Sequence, residues 1–179
     1  MKTDNNFIRS GRTRIEDDNY QTIDPRCVLA LVSLIKLSNV VDVCSPNGSG
    51  IVELLKFAGV PACGISDAFQ DNINADWIVF NPPYKRGIVD RIVQRQLDRI
   101  ENKEVKGVAL LVRAQFDHAK TRWNMFAANT EYAGQIKMLF RPKWFEDGES
   151  TPIHNYVWHI WGEYKISGYP PRVWYWKEK

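Results

Sequence analysis

Short apolar runs rich in β-branched residues alternate with stretches of helical periodicity along most of this 179-residue chain. The apolar runs predict strands over 39–44, 60–65, 77–80, 106–112, 135–140 and 156–161, with a short closing strand or tail over 172–176. The periodic stretches predict helices over 25–37, 51–57, 85–100 and 116–128. This alternation is typical of an α/β fold with a central, mostly parallel sheet and helices on both faces.

Two of the predicted helices have informative faces. Asp24 suits the N-cap of the first helix and Pro25 its first position. The apolar residues of that helix predict its buried side, which is Val28, Leu29, Leu31, Val32 and Ile35. The helix after Lys85 carries Arg91, Arg95 and Arg99 at steps of four, apart from its apolar positions. This arginine stripe is either a solvated face or a contact surface for nucleic acid.

Composition indicates one folded domain. A chain of 179 residues with 44% hydrophobic content can bury one sizeable core, and we assign residues 20–179 to it. Residues 1–19 have no hydrophobic periodicity and predict a flexible N-terminal arm, whose arginines serve solubility or bind nucleic acid. The net charge of +3 and the pI near 8.7 are compatible with a polyanionic partner and do not require one.

The cysteines and histidines indicate neither disulfides nor a metal site. Cys27, Cys44 and Cys63 are odd in number and lie within apolar stretches, which predicts reduced core residues and an intracellular protein. The longest nearly apolar run, 28–35, is too short to span a bilayer, so neither export nor a membrane anchor is predicted. The histidines have no metal-ligand spacing, and no metal site is predicted; they are His118, His154 and His159.

The strand over 77–80 stops at Asn81-Pro82-Pro83-Tyr84. Proline has no N–H and a fixed φ, so this turn is stiff and presents backbone acceptors without competing donors. The Asn81 amide oxygen and the Pro82 carbonyl can accept both hydrogens of a substrate amino group, which favours the pyramidal form of the nitrogen that attacks an electrophile. The flat ring of Tyr84 could stack on a planar substrate.

Acidic residues and glycines follow the first two predicted strands. Asp42 lies near the end of the first strand, and the loop 45–50 leads from there into a helix. Glycines in such a loop let the backbone approach a ligand, and ligands bind at the carboxyl ends of parallel strands. Asp67 follows the second strand, where a carboxylate can accept hydrogen bonds from ribose hydroxyls. Its alternative is a solvated loop carboxylate.

With these residues the chain resembles S-adenosylmethionine-dependent methyltransferases that act on planar amino groups, chiefly adenine in DNA. The resemblance implies a Rossmann-like methyltransferase fold and S-adenosylmethionine as cofactor. It implies catalytic roles for Asn81, Pro82, Pro83 and Tyr84. It implies cofactor contacts for Tyr20, Thr22, Asp42, Asn47, Gly48, Gly50 and Asp67. The chain departs from the family's pattern at Val43, where proline is usual, and at Pro46, where glycine is usual.

The resemblance extends to about Trp176. A basic and aromatic loop from Arg141, followed by a Tyr-x-Trp-x-x-Trp strand, is similar to small phage and prophage adenine methyltransferase-like proteins. The candidate substrate contacts are Lys85, Arg113, Lys143 and Trp144. Arg113 ends a predicted strand on the rim where the other sites converge, and it could neutralise a phosphate or a carboxylate. The expected partner is DNA, in the cytoplasm of a bacterium or a phage-infected host.

Alternatives stay open at this point. Asn-Pro-Pro-Tyr also occurs in methyltransferases of RNA bases and of protein glutamine amides, because a planar amide meets the same acceptors. The chain could also be a catalytically inactive, nucleic-acid-binding relative, given Pro46 and the short segment between Asp67 and Asp76. At this length the chain has no separate target-recognition domain. Loops, a partner or a homo-oligomer would have to supply sequence recognition.

Overall fold

The structure of the protein, a computed structural model, describes residues 22–45, 50–85, 87–144, 153–165 and 169–178. Its helices are α1 (Pro25–Val32), α2 (Ile51–Phe57) and α3 (Val89–Glu101), with 3-10 helices at Phe116–His118 and Lys120–Met125. Its strands are β1 (Val40–Asp42), β2 (Ala62–Gly64), β3 (Trp77–Phe80), β4 (Gly107–Arg113), β5 (Tyr132–Met138), β6 (Tyr156–Gly162) and β7 (Arg172–Trp176).

The strands form one seven-stranded sheet in the order β2-β1-β3-β4-β6-β5-β7. Pairing is parallel between β1 and β2, β1 and β3, β3 and β4, and β5 and β7, whereas β6 runs antiparallel to both its neighbours. This sheet confirms the predicted α/β fold with a central, mostly parallel sheet and helices on both faces. The carboxyl ends of β1 to β4 meet at one edge, where ligands of such folds bind.

Strand β3 is the centre of two hydrophobic cores. Ile78 and Phe80 pack with α3 on one face of the sheet, and Trp77 and Val79 pack with α1 and α2 on the other. All four side chains are 0% exposed. A parallel strand covered on both faces must be apolar at every position, which is why the run Trp77–Phe80 was recognisable in the sequence.

Helix α1 begins as predicted and ends earlier. Asp24 caps it by accepting a hydrogen bond from the Arg26 N–H at 3.1 Å. The helix ends at Val32 rather than Leu37, because the chain closes in turns in which Ile35 bonds back to Leu31 and stays buried. The predicted buried face was wrong at Leu29, which is 46% exposed.

The segment after β4 does not form the helix predicted over 116–128. It forms two 3-10 helices, and Arg122 lies across them, donating to the Phe116 carbonyl at 2.6 Å and to Asp90 of α3 at 2.7 Å. This packing directs Phe116, Met125 and Phe126 into the core on the α3 side. Tertiary contacts thus override helical periodicity here.

The strand predicted over 135–140 also needs correction. Strand β5 covers Tyr132–Met138 rather than 135–140, and its pairing with β6 shifts register between Tyr132 and Gly134. Strands β6 and β7 match the predicted segments. Trp158 and Trp161 of β6 are 0% exposed and belong to the core.

The cysteines are free, and they differ in environment. Cys27 is buried and Cys44 half-buried, whereas Cys63 is exposed on β2, so its prediction as a core residue was wrong. The reason is that β2 is an edge strand. Across the five described ranges, no helix has the length and apolar character needed to cross a membrane.

Candidate active site at the carboxyl edge of the sheet

Four predicted site residues converge on the carboxyl edge of the sheet because each follows or ends a parallel strand. Asp42 ends β1, Asp67 comes shortly after β2, Asn81 comes directly after β3, and Arg113 ends β4. Strand β6 runs in the opposite direction, and its first residue, Tyr156, is paired with Arg113. The parallel strands and the reversed strand therefore present side chains to one shared rim.

Asn81 is almost fully enclosed, with 8% of its surface exposed. Its Nδ2 donates to Thr22 Oγ1 at 3.4 Å, and its Oδ1 lies 3.4 Å from the hydroxyl of Tyr84, which donates to it. Because the amino side of the amide is directed at Thr22, the oxygen side turns toward Tyr84. The Tyr84 contact is long for an O–H···O bond, so a substrate amino group that approached more closely would compete with it effectively.

Thr22 lies beside Asn81. It is 2% exposed, and its hydroxyl accepts the hydrogen bond of Asn81. Its contact with the cofactor stays a prediction. Tyr20, its predicted companion in that role, lies outside the described residues. The segment before α1 thus contacts the Asn81 side chain.

The two prolines follow β3, and residues 81–85 continue as irregular backbone rather than as the predicted turn. Pro82 is buried and Pro83 is half-buried. Among the residues that the structure describes, no backbone N–H donates to the carbonyl of Pro82. The carbonyl of Pro82, one residue after Asn81, therefore has no main-chain donor from the described part of the chain.

Tyr84 is held by two neighbours as well as by Asn81. The Arg113 guanidinium lies over its ring, 5.3 Å from the centroid, and the Tyr156 side chain lies close to its hydroxyl. Burial, with Tyr156 adding to it, raises the pKa of Tyr84 well above its ordinary value, while Arg113 opposes the rise. The hydroxyl is therefore neutral and acts as a hydrogen-bonding group. One face of the ring is occupied by Arg113.

Tyr156 is the residue that sequence reasoning missed. It is 4% exposed, and its ring packs on Trp144 with centroids 4.7 Å apart. Tyr156 thereby lies between Tyr84 and the loop at 141–144. The sequence signal was only an aromatic residue at the start of a strand, because the antiparallel pairing that sets it opposite Arg113 is not readable from local pattern.

The loop at 141–144 is tied to the start of α1. The backbone N–H of Lys143 donates to Asp24 Oδ2 at 3.0 Å, while the Lys143 side chain is exposed. Burial alone would raise the pKa of Asp24, but hydrogen bonds from Arg26 and Lys143 outweigh it and hold that pKa below its ordinary value. Asp24 is therefore a carboxylate that anchors this loop beside the site.

Asp42 is a buried carboxyl group at the first cofactor position. It is 2% exposed, and its Oδ1 accepts the N–H of Cys44 at 2.9 Å. Burial raises the pKa of Asp42 to about 7, and the bond from Cys44 only partly opposes this. A buried carboxylate is stabilised when a cationic or hydrogen-bond-donating group arrives beside it. Asp42 is thus suited to bind a ligand of that kind.

Gly50 occupies a conformation that requires glycine. It is the N-cap of α2 with φ 51° and ψ −121°, a region from which a Cβ is sterically excluded. The other loop candidates, Asn47 and Gly48, lie outside the described residues, as does Pro46. Of the predicted glycine-rich loop, the structure therefore describes the end that starts the helix.

Asp67 lies at the open side of the sheet. Its carboxylate is exposed, and Oδ1 accepts the N–H of Phe69 at 2.9 Å. Residues 65–76 contain neither a helix nor a strand, so β2 is the edge of the sheet. Among the strands that the structure describes, none therefore lies beyond β2 to cover Asp67.

Exposed basic residues lie around the carboxyl edge. Lys85 follows Tyr84, Arg113 ends β4, and Lys143 lies in the loop at 141–144. A groove of about 1620 Å³ lies instead at the amino ends of β3 and β4, between Asp76 and Lys106, and contains none of the predicted site residues. Its acidic lining residues outnumber its lysines; they are Asp76, Glu101, Glu104, Asp117, Glu131 and Glu163 against Lys103, Lys106 and Lys165. A polyanion would therefore approach the carboxyl edge more favourably.

The residues at this edge fit a nucleoside cofactor that carries an amino acid group. Asp42 supplies a buried carboxylate, Gly50 allows close backbone approach, and Asp67 supplies an exposed carboxylate. Within the described ranges, no group of three or more histidine, cysteine, aspartate or glutamate residues could hold a metal ion. The polar groups at the site are carboxyl groups, an amide and backbone groups.

Comparison with known proteins adds a likeness of fold. No family profile and no curated protein matches the sequence. A crystal structure of a candidate RNA methyltransferase from Pyrococcus horikoshii is similar with a TM-score of 0.49 and 11% identity, over 77% of this chain and 80% of that one. A candidate class I S-adenosylmethionine-dependent methyltransferase from Listeria monocytogenes is similar with a TM-score of 0.43 and 11% identity, over 86% of this chain and 62% of that one.

Proposed function

We propose that the protein transfers a methyl group from S-adenosylmethionine to the exocyclic amino group of a planar substrate, and that this substrate is adenine in DNA. One observation carries the proposal. The Asn81 amide and the Pro82 carbonyl stand together at the end of the central buried strand, and Thr22 orients the amide. Two acceptors fixed in this way match the two hydrogens of an amino group.

The cofactor would be held by Asp42, Gly50 and Asp67, with Asn47 and Gly48 as further candidates. When bound, S-adenosylmethionine supplies a methyl group that is already activated on a sulfonium. The chain's own task is then to bind, to orient and to exclude water. Asn81 and Pro82 would hold the amino nitrogen so that its lone pair points at the acceptor carbon, and the nitrogen's surplus proton would leave to solvent.

The rim supports nucleic acid as the substrate. Arg113 and the exposed lysines Lys85 and Lys143 could contact phosphates on either side of the target. Trp144 and Tyr84 are both partly exposed and could offer aromatic surfaces for an unstacked base. Because an amino group inside a duplex is inaccessible, the adenine would be flipped out, at an unstacking cost of a few kcal/mol. We assign residues 20–179 to one catalytic domain that performs these steps.

A transfer assay with labelled cofactor tests this proposal. Purified protein is incubated with separate pools of adenine-containing DNA, RNA and glutamine-rich protein, and the label in each pool is counted. Labelled N6-methyladenine in DNA is the expected product. Label in RNA or in protein instead would keep the chemistry and replace the substrate. Absence of both cofactor binding and transfer would indicate a nucleic-acid-binding relative without activity.

The variant Asn81→Ala separates catalysis from binding. We expect it to lose transfer while cofactor affinity stays near wild type, because Asn81 contacts the amino group of the substrate. Asn102→Ala is the matched control, since Asn102 lies at the end of α3, away from the site. Undiminished turnover in Asn81→Ala would refute the assignment of the site.

A further inference from the structure

The arginine stripe of α3 faces the protein itself. The sequence allowed a solvated face or a nucleic-acid contact, and both were wrong for Arg99, which is 0% exposed. Arg91 is exposed and Arg95 is partly exposed. All three side chains are directed at residues 67–71, the turn that carries Asp67. We call this segment the 67–71 turn.

The contacts are made to successive residues of that turn. Arg99 Nη2 donates to the Gln70 carbonyl, and its neighbour Gln96 donates from Nε2 to the Ala68 carbonyl at 2.9 Å. Two further arginines contact the turn. Arg95 pairs with Asp71 at 2.6 Å, and the guanidinium of Arg91 lies 5.3 Å from the centre of the Phe69 ring.

Arg99 is itself held in place. Its Nε donates to Gln96 Oε1 at 3.0 Å, and its Nη1 donates to Glu104 Oε2 at 3.0 Å. A buried guanidinium is expensive to desolvate, and burying it is favourable only when its donors are satisfied. Gln96 and Arg99 therefore form one rigid pair on α3 that donates hydrogen bonds to two carbonyls of the 67–71 turn.

These hydrogen bonds from α3 restrain a turn that has no regular secondary structure of its own. It belongs to no helix or strand and lies beside the edge strand β2. Exposed loops of this kind open easily unless the rest of the fold restrains them. Within the turn, the Phe69 N–H donates to the Asp67 carboxylate at 2.9 Å, and the Gln70 N–H donates to the Asp67 backbone carbonyl at 3.2 Å. Fixing the carbonyls of Ala68 and Gln70 therefore restrains the backbone whose Phe69 N–H holds the Asp67 carboxylate.

We propose that Arg99 and Gln96 are positioning residues for cofactor binding, which act by preorganising Asp67. This rests on the proposed function, in which Asp67 accepts hydrogen bonds from the ribose. In a fold with a further strand beyond β2, that strand could support the turn. Here Gln96 and Arg99 of α3 hold the turn through hydrogen bonds to its carbonyls. A preorganised acceptor binds more tightly because no ordering cost remains at the moment of binding.

Arg99→Lys is the first variant, because lysine keeps the charge and cannot reach all three acceptors at once. Arg122→Lys is the matched control. Arg122 is also largely buried and also pairs with an acidic residue, contacting Asp90 of α3 and the Phe116 carbonyl, but it does not contact the 67–71 turn. For each protein, S-adenosylmethionine affinity is measured by titration calorimetry and stability by thermal unfolding.

We expect Arg99→Lys to weaken cofactor affinity about tenfold, within the coupling range of one hydrogen-bond network. Arg122→Lys should leave affinity within about twofold of wild type despite a similar loss of stability. In an Asp67→Ala background the effect of Arg99→Lys on affinity should largely disappear, because both changes then remove the same contact. Hydrogen exchange should be faster at the Phe69 and Gln70 amides in Arg99→Lys and unchanged there in Arg122→Lys.

Equal affinities in Arg99→Lys and the control, with a wild type that binds, would overturn the positioning role and leave the proposed function intact. A folded wild type that does not bind S-adenosylmethionine would overturn both. If Arg99→Lys does not fold, Arg95→Gln takes its place. Arg95 is a partly exposed side chain whose pair with Asp71 holds the end of the same turn, so a smaller loss of affinity is expected. Unchanged affinity and unchanged exchange in that variant would also refute the proposal.

Discussion

The amide of Asn81 is oriented by Thr22, whose Oγ1 lies 3.4 Å from Asn81 Nδ2. The two residues are far apart in the chain, one before α1 and the other after β3. Their contact decides which end of the amide turns toward Tyr84. An amide rotated by half a turn would present an N–H pair to a substrate amino group, and two donors would repel each other.

Thr22→Val should therefore reduce turnover about tenfold, because it keeps the shape of the side chain and removes the acceptor. Thr22→Ser keeps the hydroxyl and should retain most of the activity. Single-turnover transfer measures the chemical step, and calorimetry measures cofactor affinity. A loss of affinity with an unchanged chemical step would instead indicate that Thr22 contacts the cofactor.

Arg113 is expected to act on substrate binding. Arg113→Gln removes the cation over the Tyr84 ring and should raise KM for DNA several-fold with kcat nearly unchanged, because a phosphate contact contributes to binding throughout the reaction. The dependence of KM on salt should also become shallower. Arg172→Gln is the control, since Arg172 lies over the Trp174 ring on the remote edge strand β7. Equal effects of the two changes would argue against a specific role for Arg113.

Tyr156→Phe tests the residue that links Tyr84 to the loop at 141–144. The variant keeps the ring that packs on Trp144 and removes the hydroxyl that lies close to that of Tyr84. We expect kcat to fall by roughly 3- to 10-fold, the effect of losing about 1 kcal/mol of polar interaction, with little change in thermal stability. If kcat is unchanged, the position of Tyr84 does not depend on the Tyr156 hydroxyl.

The stability of the cofactor-free protein should depend on pH through Asp42. Burial raises the pKa of Asp42 to about 7, above its ordinary value of 3.8, so between those values the folded state holds a proton that the unfolded state has released. Stability therefore falls as pH rises from about 4 to about 7, by at most about 1.4 kcal/mol per pH unit from this group. Thermal unfolding across this range measures it.

Asp42→Asn is the matched variant for that measurement. It removes the ionisable group and should flatten the pH dependence while losing cofactor affinity, because the carboxylate is absent. A wild-type profile identical to that of Asp42→Asn would show that folding does not raise the pKa of Asp42. Affinity retained in Asp42→Asn would remove Asp42 from the cofactor site.

Features governed by short-range sterics and periodicity were determined by the sequence alone. The buried strand Trp77–Phe80, its end before the two prolines, and the capped start of α1 at Asp24 are all local patterns. The alternation of such elements was sufficient for the fold class, because strands that alternate with helices have few ways to cover both faces of a sheet.

Tertiary structure decided what depends on residues distant in the chain. Periodicity placed Arg99 on a polar face of α3, but the 67–71 turn and Glu104 supply the acceptors that allow its burial. Tyr156 joins the site only because β6 runs against β4, and the helix predicted over 116–128 gives way to contacts of Arg122. Neighbouring residues do not encode these pairings, since each depends on how the whole sheet is assembled.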